Sequence, residues 1–348
     1  MGSYLTLGIR TRVMTTLRWG ICGAGLISSD FCSALKTLPS GEHEIVAVAA
    51  RDVSRSKEFA DKFAVKKAYG SYEELASDPD IDVIYIGTIH IKHHEHSILM
   101  LKAGKHVLCE KPMAINLKQC REILKVAKES KRFFMEATWS RSLPIYEQIR
   151  EELASGRLGD VQMVTAKLCI PLLNVERIAN NKLGGGCLLD VGVYTLQFAC
   201  MVYDENPEQI IATGYVNKNG IDENGAVILK YSGGRLASLA YSAKTHWVEN
   251  NNGGIHGTKG SIELPTTFWC PKEAIMPSGK YTNDFPQGPE KYNFINAGGL
   301  RYQADKVRTS ILEGKTECYV MPHRHSEMMF TITDEIRRQI GLKYNEDD

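Results

Sequence analysis

No uninterrupted apolar run in this sequence approaches the roughly 20 residues a membrane helix requires, so no membrane span is expected. An excess of either charge is also missing. Lys and Arg number 42 against 41 Asp and Glu, a formal net charge of +1. Surfaces that bind nucleic acid are normally far more basic, so no nucleic acid partner is expected. C-x-x-C pairs are absent, and the nine cysteines are odd in number and scattered, several in apolar stretches such as Leu108-Cys109 and Phe198-Ala199-Cys200. That pattern argues against a disulfide framework or a zinc site and fits buried thiols in a reducing compartment. We therefore expect a cytoplasmic protein with no resident metal. Repeats and low-complexity stretches are missing too.

What is present is 348 residues of ordinary globular composition, 43% apolar and 24% charged. That is more chain than one core usually holds, so two domains are expected. Residues 1–16 precede the first periodic segment. Arg10, Arg12 and Arg18 without a neighbouring acid resemble a weak presequence, and Met1-Gly2-Ser3-Tyr4-Leu5-Thr6 fits an acylation pattern. Patterns this short occur often by chance, and we read 1–16 as an extension outside the fold.

From residue 17 to about 140, apolar strands alternate with helices. Strands are expected at 17–22, 44–50, 82–87, 106–109 and 133–136. Helices are expected at 31–38, 55–63, 72–76 and 94–103, with a further helix capped by Asn116. Strands without polar alternation, separated by helices, specify a doubly wound parallel sheet covered on both faces. After residue 141 the order changes. A helix at 145–153 is followed by strands at 161–170, 209–216, 226–231 and 235–242, interrupted by a helix at 188–203 and closed by helices at 302–312 and 326–340. Strand following strand implies a large, mostly antiparallel sheet. The domains are thus 17–140 and 141–348.

Gly23-x-Gly25-x-x-Ser28 sits between the first strand and first helix, where glycines let backbone N–H groups approach a pyrophosphate. The second strand ends in Ala49-Ala50-Arg51, where binders of NAD place an acid; Asp52 is one residue late and faces elsewhere. Arg51, with Arg55 one turn later, forks onto a phosphate, so the pocket should prefer NADP. Glu110-Lys111-Pro112 ends the fourth strand at the ligand crevice, and Pro112 holds Lys111 extended. Gly184-Gly185-Gly186 lets backbone pass close to a ligand, and Asp190 and Tyr194, four residues apart, can share a helical face. A tyrosine beside an ammonium can exchange a substrate hydroxyl proton while hydride moves. His90, His93, His94 and His96 read as crevice-facing loop residues, Trp139 and Arg141 as walls of a polar substrate pocket, and His323 and His325 as surface residues.

These pieces, above all Ala103-Gly104-Lys105-His106-Val107-Leu108-Cys109-Glu110-Lys111-Pro112, resemble the glucose–fructose oxidoreductase and inositol dehydrogenase superfamily. The resemblance spans about residues 17–344. It implies a Rossmann domain and an α/β domain whose open sheet forms a homodimer interface. It implies a cofactor site of Gly23, Gly25, Leu26, Ile27, Arg51, Arg55, Thr88, His90, His93, Glu110 and Lys111. Lys111 and Tyr194 would be the catalytic pair, with Lys111 lowering the phenol's pKa. Asp190 would orient the substrate, with Trp139 and Arg141 beside it. Tyrosine at 194, where many relatives carry histidine, points to the branch that oxidises aromatic trans-dihydrodiols and D-xylose with NADP. A silent NADP-binding regulator, or a sugar or biliverdin-type reductase, are the alternatives. Residues 168–181 depart from the family's pattern beside the expected substrate pocket.

Overall fold

The computed structural model describes residues 16–246 and 250–347, so the proposed extension lies almost wholly outside the described residues. The first half runs β1 (Leu17–Cys22), α1 (Leu26–Leu35), β2 (His43–Ala49), α2 (Val53–Phe63), β3 (Lys67–Tyr69), α3 (Tyr72–Ser77), β4 (Val83–Ile86), α4 (His90–Lys102), β5 (His106–Glu110), α5 (Leu117–Ser130) and β6 (Phe134–Ala137). The six strands lie in the order β3-β2-β1-β4-β5-β6, and every pair is parallel. Trp19, Ile21, Val83, Tyr85 and Leu108 fill one face, and Cys22, Ile84, Ile86, Val107 and Cys109 the other. Burial on both faces explains why these strands read as unbroken apolar runs. The strand order reverses between β1 and β4, which opens a crevice at their carboxyl ends.

The caps follow the sequence. Asp52 and Asn116 accept from the backbone N–H groups of Ser54 and Gln119. Ser71 and Glu74 form a reciprocal capping box at the start of α3. Two helices start earlier than periodicity suggests, α1 at Leu26 and α4 at His90, and neither has a side-chain cap. Both uncapped ends face the crevice.

The second half runs α6 (Pro144–Ala154), β7 (Val161–Cys169), α7 (Glu176–Ala179), α8 (Val193–Tyr203), β8 (Gln209–Val216), β9 (Asp222–Lys230), β10 (Leu236–Ser242), β11 (Gly253–Gly257), β12 (Ser261–Leu264), β13 (Glu273–Met276), β14 (Gly279–Thr282), α9 (Leu300–Leu312) and α10 (His323–Ile340). Its eight strands lie in the order β14-β13-β12-β11-β7-β10-β9-β8. They are antiparallel except for the pair β7–β10. Strands β11 to β14 are additions to the sequence reading, which places no strand after residue 242. The apolar helical stretch Asn181–Tyr203 is long enough to cross a bilayer but is 83% buried, a core element of this fold.

The strand register places Ile211, Ile228, Met163 and Ile275 on one face, with Tyr215, and all five are exposed. The other face carries the core. All nine cysteines are buried and free, as their apolar settings imply.

Residues 286–296 leave the second half and strap across α1. The buried Asp30 carboxylate accepts from the Asn293 N–H (2.9 Å), the Asn293 side-chain amide (2.7 Å) and the Phe294 N–H (2.9 Å). Ser33 Oγ donates to the Glu290 carbonyl at 2.8 Å. Asp30→Ala removes the shared acceptor of three donors at once. A loss of about 2 kcal/mol or more is expected, read as a thermal midpoint lowered by several degrees.

Candidate active site

A cavity of about 840 Å³ lies between the two sheets, at the carboxyl ends of β1, β4 and β5. Gly23, Gly25, Leu26, Ile27, Arg51, Arg55, Thr88, His90, His93, Glu110, Lys111, Trp139, Asp190 and Tyr194 all line it. The sequence reading therefore gathers one site from six separate segments. Arg141 is the exception. It is fully buried and sits outside the cavity lining. Its guanidinium donates to Gln197 Oε1 (2.9 Å) and the Gln197 carbonyl (2.6 Å) and contacts His325 Nδ1 (2.5 Å). Arg141 thus ties the end of the first half to α8 and α10 and cannot reach a substrate. His325, expected at the surface, is buried in this same network and contacts Asp204.

The phosphate end fits a dinucleotide. Gly23 has φ +103°, and a Cβ there would lie 2.9 Å from Thr88 Cγ2 and 3.1 Å from the Gly87 carbonyl. Gly25 begins α1 without a side-chain cap, and no acid sits in the first turn, so its N–H groups are free for an anion. Ser28 Oγ is buried there with no partner. Arg51 and Arg55 are exposed on the cavity wall, while Asp52 is committed to capping α2. The histidines are not in a loop but in the first two turns of α4. His93 sits between the Pro112 carbonyl (Nδ1, 2.8 Å) and the Thr88 carbonyl (Nε2, 3.0 Å). His96 contacts Thr88 Oγ1 at 3.1 Å and packs on Tyr72, a wall residue the sequence did not flag.

The reacting end is built on Gly184-Gly185-Gly186 and the turn after it. Leu188–Gly192 winds as a π-helical turn before α8 begins, a distortion frequent at functional sites. Its cap is Asp222 from β9, which accepts from the Leu188 N–H at 2.7 Å. Asp190 faces the cavity and meets three cationic or polar groups at one oxygen, Oδ1. Arg177 Nη1 lies at 2.7 Å, Lys111 Nζ at 3.6 Å and His90 Nε2 at 3.7 Å. Burial alone would raise this carboxyl, but Lys111, Arg177 and His90 hold it well below the usual carboxylate range.

Lys111 Nζ donates to the Asp190 carbonyl at 2.9 Å and lies 4.9 Å over the Tyr194 ring. The ammonium therefore faces the ring and not the hydroxyl. The phenol oxygen accepts from Trp139 Nε1 at 3.0 Å. Burial, then the Glu110 charge, push Tyr194 well above its usual value, against the Trp139 N–H. The expected depression of its pKa by Lys111 is thus absent in this state. Glu110 accepts from Tyr85 at 2.7 Å, and burial raises it to about 7.

The sequence reading placed residues 168–181 beside the substrate pocket without naming a role for any of them, and it missed Trp269, Phe294 and Ile295 on the same wall. Leu168, Ile170, Leu172, Val175, Trp269, Phe294 and Ile295 make it apolar, and Arg177 is its charged member. Residues 168–177 come from the divergent segment, while Phe294 and Ile295 come from the strap over α1. Only contacts remote in sequence bring them to the cavity. Away from it, Glu42, His43 and Asp305 bring ligand-type atoms within 4.8 Å of one another. Trp19 Nε1 donates to His43 Nδ1 at 3.0 Å, which puts the neutral ring's proton on Nε2 and leaves no lone pair for a metal.

Burial pulls His90 down to about 3 and His96 to about 4, and it lowers His93 as well. The unfolded chain therefore takes up protons first as pH falls below about 6.5. Stability should be full above that pH and fall toward the folded values, by about 1 kcal/mol for each of His90 and His96 at pH 5.5. Thermal melts between pH 7.5 and 5.5 measure it, and His96→Gln should flatten the slope.

Residues 17–138 match the family described as "Oxidoreductase family, NAD-binding Rossmann fold", and residues 146–263 match the GFO/IDH/MocA C-terminal domain. The chain is 46% identical to a trans-1,2-dihydrobenzene-1,2-diol dehydrogenase of Xenopus laevis, over 94% of this chain and 99% of that one. It is 42% identical to the Homo sapiens protein of that name, over 95% and 99%. Among solved structures, the fold resembles the 3-ketoreductase KijD10 of Actinomadura kijaniata, in complex with NADP and TDP-benzene. That likeness has a TM-score of 0.77 at 22% identity and covers 94% of this chain and 98% of that one. It also resembles an aldose-aldose oxidoreductase of Caulobacter crescentus, with a TM-score of 0.80 at 20% identity, covering 93% and 97%.

Proposed function

The chain belongs to the GFO/IDH/MocA oxidoreductase family, and from that premise we propose that it oxidises a vicinal diol of a carbocyclic ring, such as an aromatic trans-dihydrodiol, with NADP. The observation that carries this reading is the pairing of Lys111 and Tyr194 at the end of a dinucleotide-shaped crevice whose other wall is apolar. Gly23, Gly25, Arg51 and Arg55 would hold the dinucleotide, and its nicotinamide would supply the two-electron acceptor for the hydride of the carbinol carbon. The chain's residues handle the oxygen. Tyr194, held by the Trp139 N–H, lies where the substrate hydroxyl can share its proton. Lys111 supplies positive charge beside the oxygen that loses that proton. Asp190 fixes the ammonium through its carbonyl and carboxylate.

The apolar wall favours a carbocycle over D-xylose. A pentose carries oxygen on every carbon and would turn hydroxyls toward Leu168, Ile170 and Leu172 without partners. Among the described residues no carboxylate forms an ion pair with Arg51 or Arg55, which supports the 2′-phosphate of NADP over the free ribose of NAD. The exposed apolar row of Met163, Ile211, Ile228 and Ile275 supports a homodimer packed sheet to sheet, and the nine buried thiols suit the cytoplasm.

Two measurements test this reading. Tyr194→Phe should lower kcat at least 100-fold while leaving cofactor binding intact. Because the phenol is hard to ionise, wild-type diol oxidation should rise toward alkaline pH, and carbonyl reduction should stay level through neutrality. Near-normal turnover by the variant would refute the role of Tyr194. Separately, Arg51→Ala should raise KM for NADP about 10-fold or more and leave KM for NAD unchanged. Equal effects on both cofactors would remove the phosphate assignment.

A further inference from the structure

Arg177 stands out in the cavity as a charged group on an apolar wall. Its neighbours there are Leu168, Ile170, Leu172 and Val175. Its side chain is 36% exposed, while the Asp190 it binds is 6% exposed, so the guanidinium lies nearer the open space than the carboxylate. Among the described residues, one N–H of Arg177 reaches Asp190 Oδ1 at 2.7 Å, and no other acceptor is within bonding distance of the fork. Lys111 and His90 approach the same oxygen, Oδ1. Among the described residues, none of the three donates a hydrogen bond to the second carboxylate oxygen.

The position of Arg177 is locked to the reacting turn. Gly185 N–H donates to the Asn180 carbonyl at 3.1 Å. A Cβ on Gly185 would lie 2.6 Å from the Arg177 carbonyl and 2.5 Å from that of Ile178, so the absence of a side chain lets α7 sit directly on the glycine run. The guanidinium and Asp190 are therefore presented together, a few ångströms from Lys111 and beside Tyr194.

We propose that Arg177 determines specificity by binding, together with Asp190, the substrate oxygen that is not oxidised. This rests on the diol reading above and explains why the diol must be vicinal. One hydroxyl sits with Tyr194 and Lys111. Its neighbour donates to the free Asp190 oxygen and accepts from the open edge of the Arg177 fork. That pairing also suits the hydroxyketone product, whose remaining hydroxyl keeps both contacts. Arg177 also sustains the charge of Asp190, because burial without it drives a carboxyl toward its neutral form.

The test uses the full-length enzyme with saturating NADP, trans-cyclohexane-1,2-diol and cyclohexanol, comparing wild type with Arg177→Met and Arg177→Lys. Arg177→Met should raise KM for the diol about 10-fold or more with a smaller change in kcat, and should raise KM for the mono-alcohol by a smaller factor than for the diol. The acid limb of kcat/KM should move to higher pH as Asp190 loses the charge and hydrogen bond of Arg177, while Lys111 and His90 remain beside it. Arg177→Lys should recover part of the KM and the pH profile. A diol KM within twofold of wild type in Arg177→Met, or a loss confined to kcat, would overturn the assignment while leaving the diol reading intact. Absence of diol turnover by wild type would overturn both. Should Arg177→Met fail to fold, Arg177→Lys decides alone: a KM and acid limb identical to wild type refute the role, and an intermediate rise supports it.

Discussion

Asp190 is a carboxylate removed from water, and such a charge persists when opposite charge and hydrogen bonds replace its lost hydration. Three elements meet that demand together. Lys111 arrives from the end of β5, His90 from the first turn of α4 and Arg177 from α7, while Asp190 itself sits on the turn before α8. The two halves of the chain are therefore joined electrostatically at the point where chemistry would occur. The same cluster sets the direction of the Lys111 ammonium, through the Asp190 carbonyl, and so its place above the Tyr194 ring.

Backbone room makes this cluster feasible. Gly185 lets α7 press against the reacting turn, and Asp222 from β9 satisfies the buried N–H of Leu188. At the other end of the cavity, Gly23 and the uncapped start of α1 leave space and donors for phosphate. Both ends spend a glycine where a side chain would collide, and both leave helix N–H groups without an internal partner. The strap held by Asp30 then adds Phe294 and Ile295 to the cavity's apolar wall.

Much of this was legible before any coordinates. Cap residues such as Asp52 and Asn116, and apolar strands bounded by glycine, act over a few residues and leave a local trace. The Gly23 turn, Arg51 at the end of β2, and Lys111 after β5 owe their meaning to their place in an alternating βα pattern, which is also readable. The errors have a common origin. Arg141 and His325 have polar side chains that ordinarily favour solvent, yet each is buried because the other, with Gln197 and Asp204, supplies hydrogen bonds from 50 or more residues away. The pull of Lys111 on Tyr194 was misjudged because proximity along the site does not fix direction, and the ammonium points to a carbonyl.

The amino-acid sequence on its own determined the doubly wound sheet, the antiparallel sheet after it and the phosphate turn, since each rests on periodicity or on short spacing, while the grouping of Lys111, Asp190 and Tyr194 came from the family resemblance. Tertiary structure alone decided which groups face one another. It turned residues 168–177 into an apolar wall, brought Arg177 onto Asp190, carried the strap across α1 and took Arg141 out of the site. Contacts between segments far apart in the chain depend on packing and desolvation of the whole fold, and no local pattern of residues encodes them.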